Sequence, residues 1–134
     1  MLEQLTSRLD TFSSSLQLRS ARQQVLASNI ANVDTPGYVA RDIDFGAALQ
    51  NAMSGQTGLT LGQSNSRHLA VTSTDGLIGS PLAYTVQTQP SLDGNSVDLD
   101  QQRANFTDNA IRYESTLRFI NGHVKTMLSA ITGQ

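Results

Sequence analysis

The chain has 134 residues, 38% of them apolar and 5% aromatic, with no Trp and a formal net charge of −2. That length suits one domain, but so few aromatic side chains leave little large apolar surface for a self-sufficient core. Acidic and basic groups are spread evenly, three and three over residues 1–40, four and two over 41–97, four and four over 98–134. No basic face is available to follow a phosphate backbone or an anionic membrane surface.

Cysteine is absent, which removes disulfides and thiolate metal sites from consideration. Met1-Leu2-Glu3-Gln4 has no basic n-region and no unbroken apolar run behind it, so a cleaved secretory signal is not expected. No apolar stretch approaches the roughly 18 residues that a membrane-spanning helix requires.

In chain order, Leu2, Leu5, Leu9, Phe12 and Leu16 recur at alternating spacings of three and four, one stripe of a helix. The same rhythm next lands on Arg19 and Gln23, then on Leu26, Ile30 and Val33. The stripe is therefore polar in its middle, where Leu18, Ala21 and Val25 offer a neighbouring apolar stripe. No Gly or Pro precedes Pro36, so one helix is expected from about Leu2 to about Asn32, roughly 45 Å long at ~1.5 Å per residue. Ser13-Ser14-Ser15 is its weakest stretch.

Pro36 disfavours helical geometry at Thr35, and Asp34-Thr35 favours side-chain bonds to local backbone. Thr35-Pro36-Gly37-Tyr38 fits a type II turn, with Pro setting the second position and Gly supplying positive φ at the third. Asn29 and Asn32 lie one turn apart, where their amides can reach the last helical carbonyls or a neighbouring chain.

The middle of the chain is different in composition. Val39–Phe45 alternates enough to be extended, and Phe45–Met53 fits a short helix. Residues 54–66, rich in Gly, Ser, Gln, Thr and Asn, read as a loop, with Leu59-Thr60-Leu61 the one strand candidate in it. His68–Val71 and Ala83–Gln87 are better strand candidates and suggest a small hairpin around Asp75-Gly76 and Ser80-Pro81. Residues 89–100 are dense in turn formers, and Asp98 with Gln101 three residues on matches a helix N-cap.

From Phe106 the apolar rhythm is strict: Phe106, Ala110, Tyr113, Leu117, Ile120, Val124, Met127, Ile131, a seam over nearly four heptads. Gly122 is a local flaw worth roughly 1 kcal/mol of propensity, and Gly133 is the expected stop. The fold class is mainly α. Long N- and C-terminal helices form a coiled-coil hairpin, and a small irregular middle segment holds minor β structure. The segments are 1–33, 34–97 and 98–134, together one structural domain. Two helices leave each seam half open, so assembly with further chains is the expected way to close them, against a monomeric bundle covered by the middle segment.

No constellation for catalysis is present. Asp93, Asp98 and Asp100 lack the acidic ladder and terminal Glu of a calcium loop and read as turn and cap residues. His68 and His123 stand singly, without a second ligand at zinc spacing. There is no nucleophile motif and no phosphate loop. Tyr113 reads as a packed seam residue. Arg103, Arg112 and Arg118 read as surface or intersubunit partners of Asp108 and Glu114. No enzyme activity, cofactor or metal is expected.

The stretch Asn29-Ile30-Ala31-Asn32-Val33-Asp34-Thr35-Pro36-Gly37-Tyr38, preceded by Ala27-Ser28, resembles the N-terminal signature of the bacterial flagellar rod and hook proteins. The continuation Ala40-Arg41-Asp42-Ile43-Asp44-Phe45 and the run Pro90–Asp100 resemble the proximal rod members of that family. The resemblance covers both termini and the flanks of the middle, while residues 54–88 add little. It implies a structural subunit of the rod that crosses the periplasm, transmitting torque. It also implies export by the flagellar type III apparatus without a cleaved signal peptide. The implied partners are other copies, other rod proteins, the inner-membrane ring and rod-base adaptors, through terminal helices paired in an inner layer. On this view Asn29, Ile30, Ala31, Asn32, Asp34, Thr35, Pro36, Gly37 and Tyr38 are the family signature and turn, and Pro36 and Gly37 fix where the chain leaves that layer. Leu2, Leu5, Leu9, Phe12, Leu16, Leu26, Ile30, Phe106, Tyr113, Leu117, Ile120, Val124, Met127 and Ile131 form the assembly seam. A soluble coiled-coil adaptor acting through helix exchange is the alternative reading.

Overall fold

The computed structural model describes residues 2–54, 82–84 and 92–133, of which residues 2–5 and 82–84 are described by backbone alone. The expectations for Leu59–Leu61, His68 and His68–Val71, and the side chains of Leu2 and Leu5, lie outside what is described.

Helix α1 spans Leu2–Ala31 without interruption, so the serine triplet does not break it. It ends where Pro36 and the two asparagines predict. Strand β1 (Arg41–Ile43) follows, then α2 (Phe45–Met53), capped by Asp44, whose side chain accepts from the Ala47 amide. Strand β2 is Leu82–Tyr84 and helix α3 runs Leu99–Thr132. Asp98 is the N-cap of α3, its carboxylate accepting from the Asp100 and Gln101 amides. Gly133, at φ 73°, closes its C-terminus. No helix among the described residues is long and apolar enough to cross a membrane.

The strand expected over Ala83–Gln87 is described only at Leu82–Tyr84, and its expected hairpin partner lies outside the described residues. β2 pairs antiparallel with β1, in the register Arg41↔Tyr84, Asp42↔Ala83 and Ile43↔Leu82. A two-stranded pair is marginal alone, so strand pairing follows whichever edge is already anchored. β1 is that edge: the fork of Arg22 on α1 grips the Asp42 carboxylate through Nε (2.8 Å) and Nη2 (2.7 Å). The neighbouring Ile43 side chain is buried. The hydrogen bond to Asp42 holds the Arg22 guanidinium above its ordinary pKa against the opposing effect of burial. The Arg22 guanidinium thus keeps its charge up to the strongly alkaline range, and planar fork geometry makes Lys a poor substitute.

The middle stripe of α1 makes the core of this end. Leu18 packs with Ile43 and Ala48, flanked by Ala21, Val25, Phe45 and Leu49. The buried face does shift around α1, as the polar interruption at Arg19 and Gln23 implies. Arg19 lies with its guanidinium 4.3 Å from the Phe45 ring centre, a cation–π contact. Its pKa is lowered, first by burial and then by Arg112.

α1 and α3 pack antiparallel along their length, from Asn29–Gln102 at one end to Phe12–His123 at the other. The residues of α3 most deeply buried against α1 are Gln102, Asn109 and Thr116. The apolar seam read from the sequence sits one step round the helix. Phe106, Ala110, Tyr113, Ile120 and Met127 are half-buried, while Leu117, Val124 and Ile131 are exposed. Leu9, Phe12, Leu16 and Ile30 of α1 are half-buried and Leu26 is fully buried. Arg112 pairs with Asp108 and Arg118 with Glu114, both as exposed i,i+4 pairs on α3. Such pairs contribute little.

Candidate functional site

The signature stretch lies where α1, β1 and the start of α3 meet, and two buried asparagine side chains hold it there. Asn29 is completely buried at the end of α1. Its Nδ2 donates to the Arg41 carbonyl (2.6 Å) and to Gln102 Oε1 (3.0 Å). Its Oδ1 accepts from the Arg41 amide (3.2 Å) and the Tyr38 hydroxyl (3.2 Å). Two donors and two acceptor positions are all that an Asn amide has, and all are used. Tyr38 Oη also lies 3.3 Å from Ser28 Oγ. One side chain thereby ties the end of α1 to the turn, to β1 and to α3.

The chain between α1 and β1 is shaped by local bonds. Asn32 Nδ2 donates to the Ser28 carbonyl (2.8 Å), and Thr35 Oγ1 donates to Asn32 Oδ1 (3.1 Å). The Tyr38 amide donates to the Thr35 carbonyl across the Pro36-Gly37 turn, at 3.3 Å. Gly37 has φ 71°, the positive value the turn requires at that position.

The second asparagine comes from the segment before α3. Asn95 is buried, and its Nδ2 lies 3.0, 2.7 and 2.8 Å from the carbonyls of Asn32, Val33 and Thr35. These carbonyls belong to the turn that follows the end of α1 at Ala31, and the Asn32 carbonyl also accepts from the Thr35 amide (3.0 Å). Asn95 Oδ1 accepts from the Val97 amide, which folds its own segment. Beside it, Gly37 N donates to the Asp93 carbonyl (2.9 Å), Ser96 N to the Tyr38 carbonyl (3.0 Å), and Ala40 N to Ser96 Oγ (2.7 Å). Residues 93–97 thus run alongside 35–40 like a third strand of the joint. Asp93 Oδ1 accepts from the Asn95 amide, a turn role, as Asp98 has a cap role.

Of the sequence-predicted signature, Asn29 is fully buried, Ile30, Asn32 and Tyr38 are half-buried, and Ala31, Asp34, Thr35, Pro36 and Gly37 are exposed. The structure therefore splits it into an inner half that bonds and an outer half that turns. Asn95, Ser96 and Gln102 are the partners that residue patterns did not single out. The density of turn formers over 89–100 was visible, but only the fold shows that this turn caps a helix sixty residues earlier. The chemistry on offer is amide, hydroxyl and carbonyl hydrogen bonding, suited to fixing angles between segments.

Gly37→Val tests the turn. A β-branched residue at positive φ is strained, although no heavy atom lies within 4 Å of the added Cβ. The expected result is a loss of about 1–3 kcal/mol in chemical denaturation, with loss of function in cells. A loss below about 0.5 kcal/mol together with intact function would dismiss a shape role for this position.

A family model described as "Flagella basal body rod protein" matches residues 9–38, which is most of α1 and the whole junction turn. The chain is 42% identical over 135 residues to the "Flagellar basal body rod protein FlgB" of Proteus mirabilis, covering 98% of each. It is 41% identical over 142 residues to the protein of that name from Salmonella typhimurium, covering 99% of each. The Escherichia coli protein of that name is 39% identical, with 98% of this chain and 97% of the relative aligned.

Proposed function

Since the chain belongs to the FlgB family of flagellar basal body rod proteins, we propose that it works as a structural subunit of the bacterial flagellar rod. The observation that carries this reading is a helix pair whose apolar surface is only partly used. Leu117, Val124, Leu128 and Ile131 form an exposed apolar row along the outward flank of α3. Burying such side chains against neighbours contributes about 1.5–3 kcal/mol each, a strong drive to assemble. Scattered exposed leucines need no explanation, but a contiguous row on one helix does.

Its partners in this reading are further rod subunits, copies of itself among them, with the inner-membrane ring and rod-base adaptors at the base. Delivery is by the flagellar type III apparatus without a cleaved signal, and the place of action is the periplasm-spanning basal body. α1 and α3 belong to the inner layer and residues 34–97 to the outer part of one domain. Torque passes from subunit to subunit through the buried seams, and the Asn29–Asn95 joint holds the middle segment at a constant angle to the helices. Similarity along nearly the entire chain favours a rod subunit over a free coiled-coil adaptor. A non-catalytic role accords with the family.

Complementation of a rod-defective strain tests this. The native-sequence chain should restore motility, whereas Leu117→Asp/Val124→Asp should abolish it with unchanged circular dichroism of the purified chain. Both side chains are exposed, so the isolated fold tolerates the change. Full motility of the double variant would sink the role of this row, and failure of the native-sequence chain in a close host would sink the rod assignment.

A further inference from the structure

The face that α3 turns toward α1 is polar at every seventh residue: Gln102, Asn109, Thr116, His123. The first three side chains are buried, and His123 Nε2 is sealed from solvent beside the Phe12 ring. Such a line is not how two helices gain the most from burial. The adjacent apolar positions Phe106, Tyr113, Ile120 and Met127, with Ala110, Leu117, Val124 and Ile131, would pack more favourably at the centre of the contact.

We propose that this polar line is a specificity surface that accepts an α1 helix in a single antiparallel register and disfavours a second α3. The partners on α1 are specific. Gln102 Oε1 accepts from Asn29 Nδ2. Asn109 Nδ2 donates to Gln23 Oε1 (2.6 Å) and to the Arg19 carbonyl (2.9 Å). Gln23 Nε2 in turn reaches the Phe106 carbonyl at 3.5 Å. The side-chain bond to Gln23 explains why the apolar stripe of α1 is interrupted there, while residue 19 contributes its backbone carbonyl. An apolar heptad pattern by itself permits slides of one heptad, about 10 Å along the axis. Such a slide carries Asn109 toward Leu16 in one direction or Ile30 in the other, leaving its amide buried without a partner. Burying an unbonded amide is penalised far more than losing one bonded pair. Pairing α3 with another α3 buries the polar line of both helices and offers neither Asn29 nor Gln23. Even in the native register Asn109 Oδ1 and His123 Nε2 have no hydrogen-bond partner among the described residues. The line therefore costs stability and selects the partner, as buried polar residues do in specific coiled coils. The inference rests on the helix pair alone and not on the rod assignment.

The chain has no Cys, so Ser20→Cys and Thr107→Cys, both at exposed positions, give one unique spin-label pair across the helices. Electron–electron distance measurements and sedimentation equilibrium are made on the full chain, and on the same chain carrying Gln102→Leu and Asn109→Leu. The expected result is one narrow distance for the native line. The leucine variant should show a second population displaced by about one heptad, or self-association strengthened about tenfold, at equal or higher helix content. A leucine variant with the same single distance and the same association overturns the proposal. So does one that loses helix content, since the line would then be an ordinary stabilising contact. A native line without a single distance overturns it equally.

Discussion

Replacing Asn29 by Leu should lower the stability of the chain by about 3–5 kcal/mol, more than any other single change at the junction. The substitution is close in volume, so the loss comes from hydrogen bonding. Gln102 Oε1, the Arg41 carbonyl, the Arg41 amide and the Tyr38 hydroxyl each lose their bond to Asn29 in one step, with Ser28 Oγ still beside the hydroxyl. A buried polar group left unbonded costs about 1–3 kcal/mol. Gln102 is fully enclosed and bears that cost, whereas Tyr38 and Arg41 keep some access to water and bear less. The sum is large against a total stability that is on the order of 5–15 kcal/mol for ordinary domains. Among the described residues the buried apolar side chains are few, Leu18, Leu26, Ala40, Ile43 and Ala48, so each polar contact weighs more. Urea denaturation followed by circular dichroism measures the loss. Asn29→Leu with Gln102→Leu should recover part of it, since both buried amides leave together. A single variant within 1 kcal/mol of the native chain would mean that water replaces the bonds and that the joint is not sealed.

The second large effect is expected at Asn95. Asn95→Ala removes the donor shared by three carbonyls of the turn after α1 and should cost about 2–3 kcal/mol. Asn95→Asp should cost more than Ala at neutral pH, despite its closer shape. It would aim a carboxylate at the Asn32, Val33 and Thr35 carbonyls, at the negative end of the α1 dipole. Hydrogen exchange gives the local readout. The amides of Gly37 and Ser96, which bridge the two segments, should lose protection in both variants, while those in the middle of α3 should not. An Asp variant as stable as the native chain, or more stable than Ala, would refute the view that Asn95 acts as a donor.

Much of the fold was readable in the residues because its signals are local. Apolar spacing marks two long helices, Pro36 and Gly133 mark where they end, and Asp98 is a cap within one turn of what it caps. α2 begins and ends at Phe45 and Met53 as its spacing predicts. The junction was half readable. Turn chemistry at Thr35–Tyr38 follows from Pro and Gly, and Asn29 and Asn32 stand out as amides at a helix end. Their actual partners did not stand out. A hydrogen bond from Asn95 to Thr35 carries no periodic signal, because it depends on two loops sixty residues apart being brought together. The same holds for Arg22 and Asp42, unremarkable in sequence yet the pair that ties β1 to α1.

The apolar rhythm of α3 shows the limit most clearly. Spacing alone placed Phe106 through Ile131 on one stripe, and the residues do lie on one stripe. Helical periodicity states which side chains share a face, but it does not state which way that face points. Packing decides the direction, and here the helix turns its polar line to α1 because Asn29, Gln23 and the Arg19 carbonyl wait there to bond it. By itself the sequence determined two helices, their ends, a turn of positive φ and an apolar stripe on each helix. Only the tertiary structure decided which stripe meets the partner helix and which stays open. That choice depends on pairing buried polar groups across the chain, and no pattern confined to one segment contains it.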